Sequence, residues 1–417
     1  MSFDRVGIRP ARILLPAPGV PRETWACIAC DQYTSEPEYW QKAFETAGDA
    51  PSALRLILPE VSLRNSAQRI PGIHAAMARY LKDGLLAPAV DPGFILCERT
   101  VPSGTRLGLV CAVDLEQYSF ERGSLPLVRP TEQTIASRLP PRLVIRRGAP
   151  VELTHIMILI DDPEHTVLEP LQAKKDSLRM LYDFDLMMNG GHLKGWAVDR
   201  PEDLEHVDAS MNRLLDSLGE DPLLLAVGDG NHSLATAKAY WNELRESLSE
   251  KERETHPARF ALCEIVNIHD EALLFEPIHR VITGSDPQAL LADWQAYAAA
   301  RGMTLDAAEG HRFTVVYANG SKEITVGNPE GAIPCETIQK FLDDFLARHP
   351  EAEIDYIHGE QSLRTLASAP GATGFLLPEI DKNSFFSDVN KLGVLPRKTF
   401  SMGEADEKRF YMEAKEI

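Results

Sequence analysis

The stretch Gly228-Asp229-Gly230-Asn231-His232-Ser233 gathers more chemically useful groups than any other part of the chain. Its two glycines permit a tight or left-handed backbone and a close approach of ligand to main chain. Free N–H groups at the start of a following helix would favour an anion. Asp229 suits a magnesium ion or the role of base, and His232 can donate to a phosphoryl oxygen. With Gly228, Gly230, Asn231 and Ser233 around them, these residues describe a phosphate site. They describe a plain turn equally well, with Asp229-Gly230 bending the chain and Asn231 or Ser233 capping the helix. The pattern is neither a Walker loop, which needs Gly-Lys-Ser/Thr, nor a full G-x-G-x-x-G.

The surrounding elements place the motif on a strand–turn–helix corner. Leu223–Val227 is an apolar run that ends at the motif, and Leu234, Ala237, Trp241, Leu244 and Leu248 then recur at spacings of three and four, one helical stripe. Phe260–Ile268 reads as the next strand. Upstream, Pro37 with Glu38 predicts a helix start after Ser35, and a second helix is expected over Ile73–Leu86. The runs Phe94–Cys97 and Leu107–Val113 around Pro102-Ser103-Gly104 predict a hairpin. Arg129–Pro150 reads as a polar, turn-rich loop carrying Arg142, Arg146 and Arg147, before a buried strand at His155–Ile160. Beyond about residue 286 a separate unit is expected. It has a hairpin of Arg312–Tyr317 and Glu323–Val326 about Asn319-Gly320, a helix over Cys335–Ala347 and a strand at Phe375–Leu377.

Cysteines are sparse, at 27, 30, 97, 111, 263 and 335, with no disulfide framework. Cys27-x-x-Cys30 lacks both a second metal-binding pair and the strand–helix setting of a redox motif, so it reads as structural. No secretory signal is visible, and no apolar run approaches the roughly 18–20 residues of a membrane helix. A cytoplasmic protein is expected.

Several segments, in order along the chain, resemble a bacterial and archaeal family known as domain of unknown function 1015. Val227-Gly-Asp-Gly-Asn-His-Ser resembles a variant of its Asp-Gly-His-His-Arg signature, and Cys30-Asp31-Gln32-Tyr33 lies where it has a Pro-Pro-Tyr-Asp loop. Arg129-Pro-Thr-Glu132-Gln-Thr134 resembles its Arg-x-His-Glu-x-Thr. Phe275-Glu-Pro-Ile-His279-Arg280-Val281, Tyr356-Ile-His358 and Leu395-Pro-Arg-Lys398-Thr399 resemble its later signatures. That family is similar to the ParB/sulfiredoxin superfamily, which includes a free-serine kinase. The resemblance implies a nucleotide site for ATP or ADP with Mg2+, centred on Asp229 and His232, with Glu132 and Asp31 as further base or metal ligand. Two signature positions that help hold phosphate are here Asn231 and Ser233, and neither replaces the bidentate grip of an Arg. Arg129, Arg280 and Lys398 are the candidates to supply the missing charge, with Thr134 and His279 as further expected ligand-binding residues.

The expected fold is α/β, or α+β, with a mixed sheet in a core spanning 1–285, either continuous or split into 1–50 and 220–285 by a β-rich insertion at 51–219. A C-terminal α+β domain over 286–417 follows. The expected function is nucleotide-dependent phosphotransfer to a small, serine-like metabolite, or nucleotide hydrolysis; the alternative is a non-catalytic nucleotide- or metabolite-binding protein. Lys+Arg of 43 against Asp+Glu of 62 leaves a net charge of −19, which disfavours nucleic acid and anionic membranes as partners. Sulfiredoxin-like chemistry would need a Cys at position 231. A polyanionic ligand would require cations gathered locally, and Arg129, Arg142, Arg146, Arg147, Arg280 and Lys398 are the expected source.

Overall fold

The computed structural model describes residues 3–121, 123–318 and 320–417. The chain divides into two compact units, one formed by Met1–Leu274 with Gly403–Ile417 and the other by Phe275–Met402.

In chain order the first unit contains β1 (Ala11–Pro16), α1 (Pro37–Ala47), α2 (Ser66–Lys82), β2 (Leu86–Val101), β3 (Gly104–Asp114), β4 (Val128–Pro130) and α3 (Leu139–Arg146). There follow β5 (Val151–Leu153), β6 (Met157–Ile160), β7 (Arg179–Asp185), β8 (His192–Val198), α4 (Pro201–Ser217), β9 (Leu225–Asp229), α5 (Asn231–Arg245) and β10 (Phe260–Asn267). Their sheet runs β4-β9-β6-β10-β3-β2-β1 and then through Ala414–Glu416 to β5, with β8 paired to β2 and β7 to β8. The pairs β4/β9 and β6/β10 are parallel and the others antiparallel, so the sheet is mixed as expected.

Apolar material covers both faces of this sheet. All eight residues of β10 are buried. Phe260 and Leu262 belong to one core cluster and Ala261, Cys263 and Ile265 to the other, as the two-residue period of a strand requires. Trp40, Ala43, Met77 and Tyr80 bring α1 and α2 to the first cluster. Leu204, Val207 and Met211 of α4 and Leu234, Ala237 and Trp241 of α5 fill the second.

Three local readings change. Helix α3 lies within the expected loop: Pro140 and Pro141 occupy its first turn, where the missing N–H groups would have no helical partner anyway. Helix α2 runs from Ser66 to Lys82, starting before the expected Ile73, and carries Pro71 inside it. Helix α4 was not anticipated, although Pro201 with Glu202 and Asp203 supplies a helix start and Leu204, Val207 and Met211 an apolar stripe.

The second unit holds β11 (His279–Thr283), α6 (Pro287–Ala300), β12 (His311–Tyr317), β13 (Gly320–Gly327), α7 (Pro334–Arg348), β14 (Glu353–Ile357), β15 (Thr373–Leu376) and α8 (Lys382–Leu392). Its sheet order is β13-β12-β15-β11-β14, with Thr304–Leu305 outside β13. The expected hairpin is β12/β13, with Tyr317 paired to Gly320; Asn319 lies outside the described residues. The expected C-terminal domain ran to residue 417, whereas the segment after Met402 returns to the first unit. There Ala414–Glu416, labelled β16, pairs with β1 and β5.

Candidate functional site

Strand β9 leaves the sheet through a bulge at Gly228, where the register against β6 shifts between Val227 and Asp229. Gly230 then turns the chain with φ of +77° and becomes the N-cap of α5, with no side chain capping the helix. A Cβ at Gly230 would lie 3.1 Å from the Ile156 Cα, so both backbone and packing favour glycine here. Asp229 Oδ1 accepts from the Gly230 N–H at 2.9 Å, and its Oδ2 faces Lys408 Nζ at 3.5 Å. The corner thus offers uncapped amide N–H groups, the positive end of a helix of 15 residues and an ammonium group, a combination suited to an anion.

Ser233, in the first turn of α5, begins a chain of hydrogen bonds. Its Oγ lies 3.0 Å from His155 Nε2, and His155 Nδ1 lies 2.7 Å from the Tyr411 hydroxyl. The Tyr411 oxygen accepts from the Cys30 N–H at 3.3 Å. In the tautomer with its proton on Nδ1, His155 donates to Tyr411 and its Nε2 accepts from the Ser233 O–H. Asp31 Oδ2 stands 3.8 Å from the same Nε2, close enough to stabilise a proton arriving there. Burial, then the neighbouring Asp31, pushes the Cys30 thiol up to about 12, so it remains a thiol. Ser233, His155 and Tyr411 line a cavity of about 150 Å³ whose other walls include Leu58, Met77 and Ile145 and the Glu60–Arg142 ion pair.

His232 accepts from the Ile135 N–H through Nε2 at 3.4 Å, which leaves Nδ1 as its donor. Its pKa falls to about 4, first through burial and then through Arg138 and Arg142, with Asp31 opposing. It is therefore a neutral hydrogen-bond donor at pH 7.

A family model described as a protein of unknown function, DUF1015, matches residues 8–345. The chain belongs to the DUF1015 family. No curated protein matches it. Among solved structures, a mutant free serine kinase in complex with AMP is 12% identical with a TM-score of 0.40, over 73% of this chain and 90% of that one. The ADP complex of the kinase scores 0.39 at 12% identity, over 73% and 91%. A conserved hypothetical protein from Pyrococcus furiosus scores 0.36 at 12% identity, over 74% and 94%. At these scores the likenesses are too distant to assign chemistry.

In this DUF1015 protein the corner draws together part of the expected set. Asp229, Gly228, Gly230, His232, Ser233 and Asp31 all take part in it. Asn231 is buried and points inward: its Oδ1 accepts from the Thr131 N–H at 3.2 Å and its Nδ2 donates to the Val227 carbonyl at 3.3 Å. It therefore ties the loop carrying Glu132 and Thr134 to the corner instead of presenting a donor to a ligand. Arg129, expected to grip phosphate, is buried, with Nε donating to the Pro126 carbonyl at 2.9 Å and Nη2 to those of Asp221 and Pro222.

His279, Arg280 and Lys398 belong to the second unit. There Arg280 is fully buried, donating to Gln339, Cys335 and the carbonyls of Ile278 and Arg397. Burial lowers His279 to about 4, and its Nδ1 accepts from the Leu377 N–H. Lys398 is exposed. Among the described residues no group of three or more His, Cys, Asp or Glu side chains converges as a ready-made metal site. A magnesium ion carried by phosphates needs only one or two protein carboxylates, and Asp229 is the one placed at the helix start. Sequence reasoning missed His155, Tyr411 and Lys408; only the fold brings them to the corner.

Proposed function

We propose that the Asp229 corner binds the phosphates of a nucleotide and that the neighbouring cavity receives the hydroxyl acceptor of a phosphoryl transfer. The observation that carries this reading is the juxtaposition of an uncapped helix N-terminus with the Ser233–His155–Tyr411 chain. The amide groups of α5 and Lys408 take the phosphate charge, His232 donates through Nδ1, and Asp229 holds a magnesium ion when one arrives with the nucleotide. A bound magnesium ion supplies charge neutralisation on the transferring group. The acceptor oxygen attacks the terminal phosphorus, the bond to the bridging oxygen breaks, and the nucleoside diphosphate leaves. The acceptor's proton passes to His155 Nε2, directly or through Ser233 Oγ, and Asp31 offsets the charge of the imidazolium. The acceptor is a small hydroxylated metabolite. The apolar walls at Leu58, Met77 and Ile145 favour one with some apolar surface over free serine.

The test separates binding from chemistry. His155→Gln should reduce ATP-dependent phosphorylation of the best acceptor in a metabolite panel by about 10²–10⁴-fold, while ADP binding measured by calorimetry stays within a factor of two or three. Unchanged turnover would remove His155 from the reaction. The inward-facing Asn231 favours a second reading, nucleotide binding without turnover, and saturable ADP binding with no product across the panel would establish it.

A further inference from the structure

Away from the corner, the main sheet buries a second group of charges. Strands β2 and β3 pair with Arg99 directly opposite Arg106, and the two residues are 2% and 5% exposed. Like charges in direct cross-strand register repel. Arg409 is buried beside them, its Nε on Glu264 at 2.5 Å and its Nη2 on Glu413 at 2.7 Å. The buried groups thus comprise three guanidinium cations and two carboxylates, an excess of one positive charge. Asp406 acts on Arg99 from an exposed position, and Glu98 on the same strand is already paired with Lys175.

The guanidinium donors are incompletely used. Arg99 Nη2 donates to the Asp406 carbonyl at 3.1 Å, but Arg99 Nε and Nη1 and Arg106 Nε are buried with no hydrogen-bond partner among the described residues. Arg106 Nε comes only within 3.8 Å of Glu264. Arg99, Arg106, Glu264, Arg409 and Glu413 line one small cavity, with about 10 Å³ open to the centre of a water-sized sphere. That is about the room one water molecule needs, and a chloride ion is only a few tenths of an ångström larger in radius. A buried, unsatisfied donor costs about 1–3 kcal/mol, more when it is charged. A water molecule would accept from these donors but leave the excess charge in place. A monatomic anion answers both.

We propose that this cavity binds one halide ion, chloride in ordinary buffers, between Arg99 and Arg106. The anion bridges the facing guanidinium groups and neutralises the buried charge. It thereby fixes β2 and β3 against the segment Arg409–Glu413, which also carries Tyr411. The crowding it relieves is visible in Arg99, which burial and then Arg106 lower to about 9.

Two measurements on the full chain test this site. Thermal unfolding in potassium chloride or bromide, compared with potassium gluconate at equal ionic strength, should show a saturable rise in Tm of about 3 °C or more, lost in Arg99→Gln. Equal Tm values in all three salts overturn the proposal. Because Arg99→Gln alters a buried strand and can fail to fold, the second measurement uses the unaltered protein: crystals grown in bromide should give an anomalous peak between Arg99 and Arg106. A water there, with no such peak, overturns the proposal whatever the salt dependence.

Discussion

His155 is the group through which the proposed transfer moves a proton, because its two ring nitrogens lie between Tyr411 and Ser233. With the proton on Nδ1, facing Tyr411, the Nε2 beside Ser233 can accept and then return a proton. His232, next to Ser233, plays a different part, since burial and two arginines lower it to about 4 from an ordinary 6.5. Between those values the unfolded chain binds a proton at this position and the folded chain does not. Its contribution is therefore neutral above about pH 6.5, and stability falls as pH drops from there toward 4. Urea unfolding at pH 7.5 and pH 5 should show a smaller acid loss for His232→Gln than for the parent; equal losses would mean that His232 is not held neutral. Asp31, His232 and Ser233 were legible because each lies in a motif. His155 and Tyr411 were not, because the contacts that recruit them span 78 and 256 residues.

The corner itself was readable as an element. An apolar run, a glycine turn and a stripe at helical spacing identify β9 and α5 without any tertiary information, whereas α3 was hidden because its prolines at the helix start look like breakers in sequence. What the sequence left open was whether the turn was only a turn. The left-handed Gly230, an uncapped α5 and the approach of Lys408 support the proposed phosphate site, and they depend on how β6 and the C-terminal segment pack against the corner. Gly230→Ala should lower stability by about 1–2 kcal/mol from the backbone conformation alone, measured by urea unfolding. It should also displace the first turn of α5 and weaken nucleotide binding. Full stability in this variant would show that the turn relaxes without strain and that the position is not specialised.

Across the whole molecule the last fifteen residues, Gly403–Ile417, do more than the expected domain boundary suggested. They supply β16 to the main sheet, Arg409 to the buried Glu264, Tyr411 to His155 and Lys408 to Asp229. Removing Arg409 would leave Glu264 with a weaker, longer contact to Arg106, and breaking a buried ion pair costs about 3–5 kcal/mol. A chain ending at Met402 should therefore lose the cooperative unfolding of the first unit while protease-resistant fragments of the second survive; a fully cooperative truncated protein would contradict this assignment. The charge of −19 also takes on a more specific meaning. Most of the arginines expected to gather around a polyanion are engaged elsewhere, Arg129 with carbonyls, Arg146 with Glu152 and Arg147 with Glu243. Of the expected set Arg142 lies near the corner, joined by Lys408 and Arg138. Calorimetric titration of ATP and ADP, with magnesium, into the full chain and into Asp229→Asn tests the central claim most directly. Saturable binding to the parent, weakened at least tenfold in the folded variant, is the predicted result, and no binding of either nucleotide to the parent would contradict it.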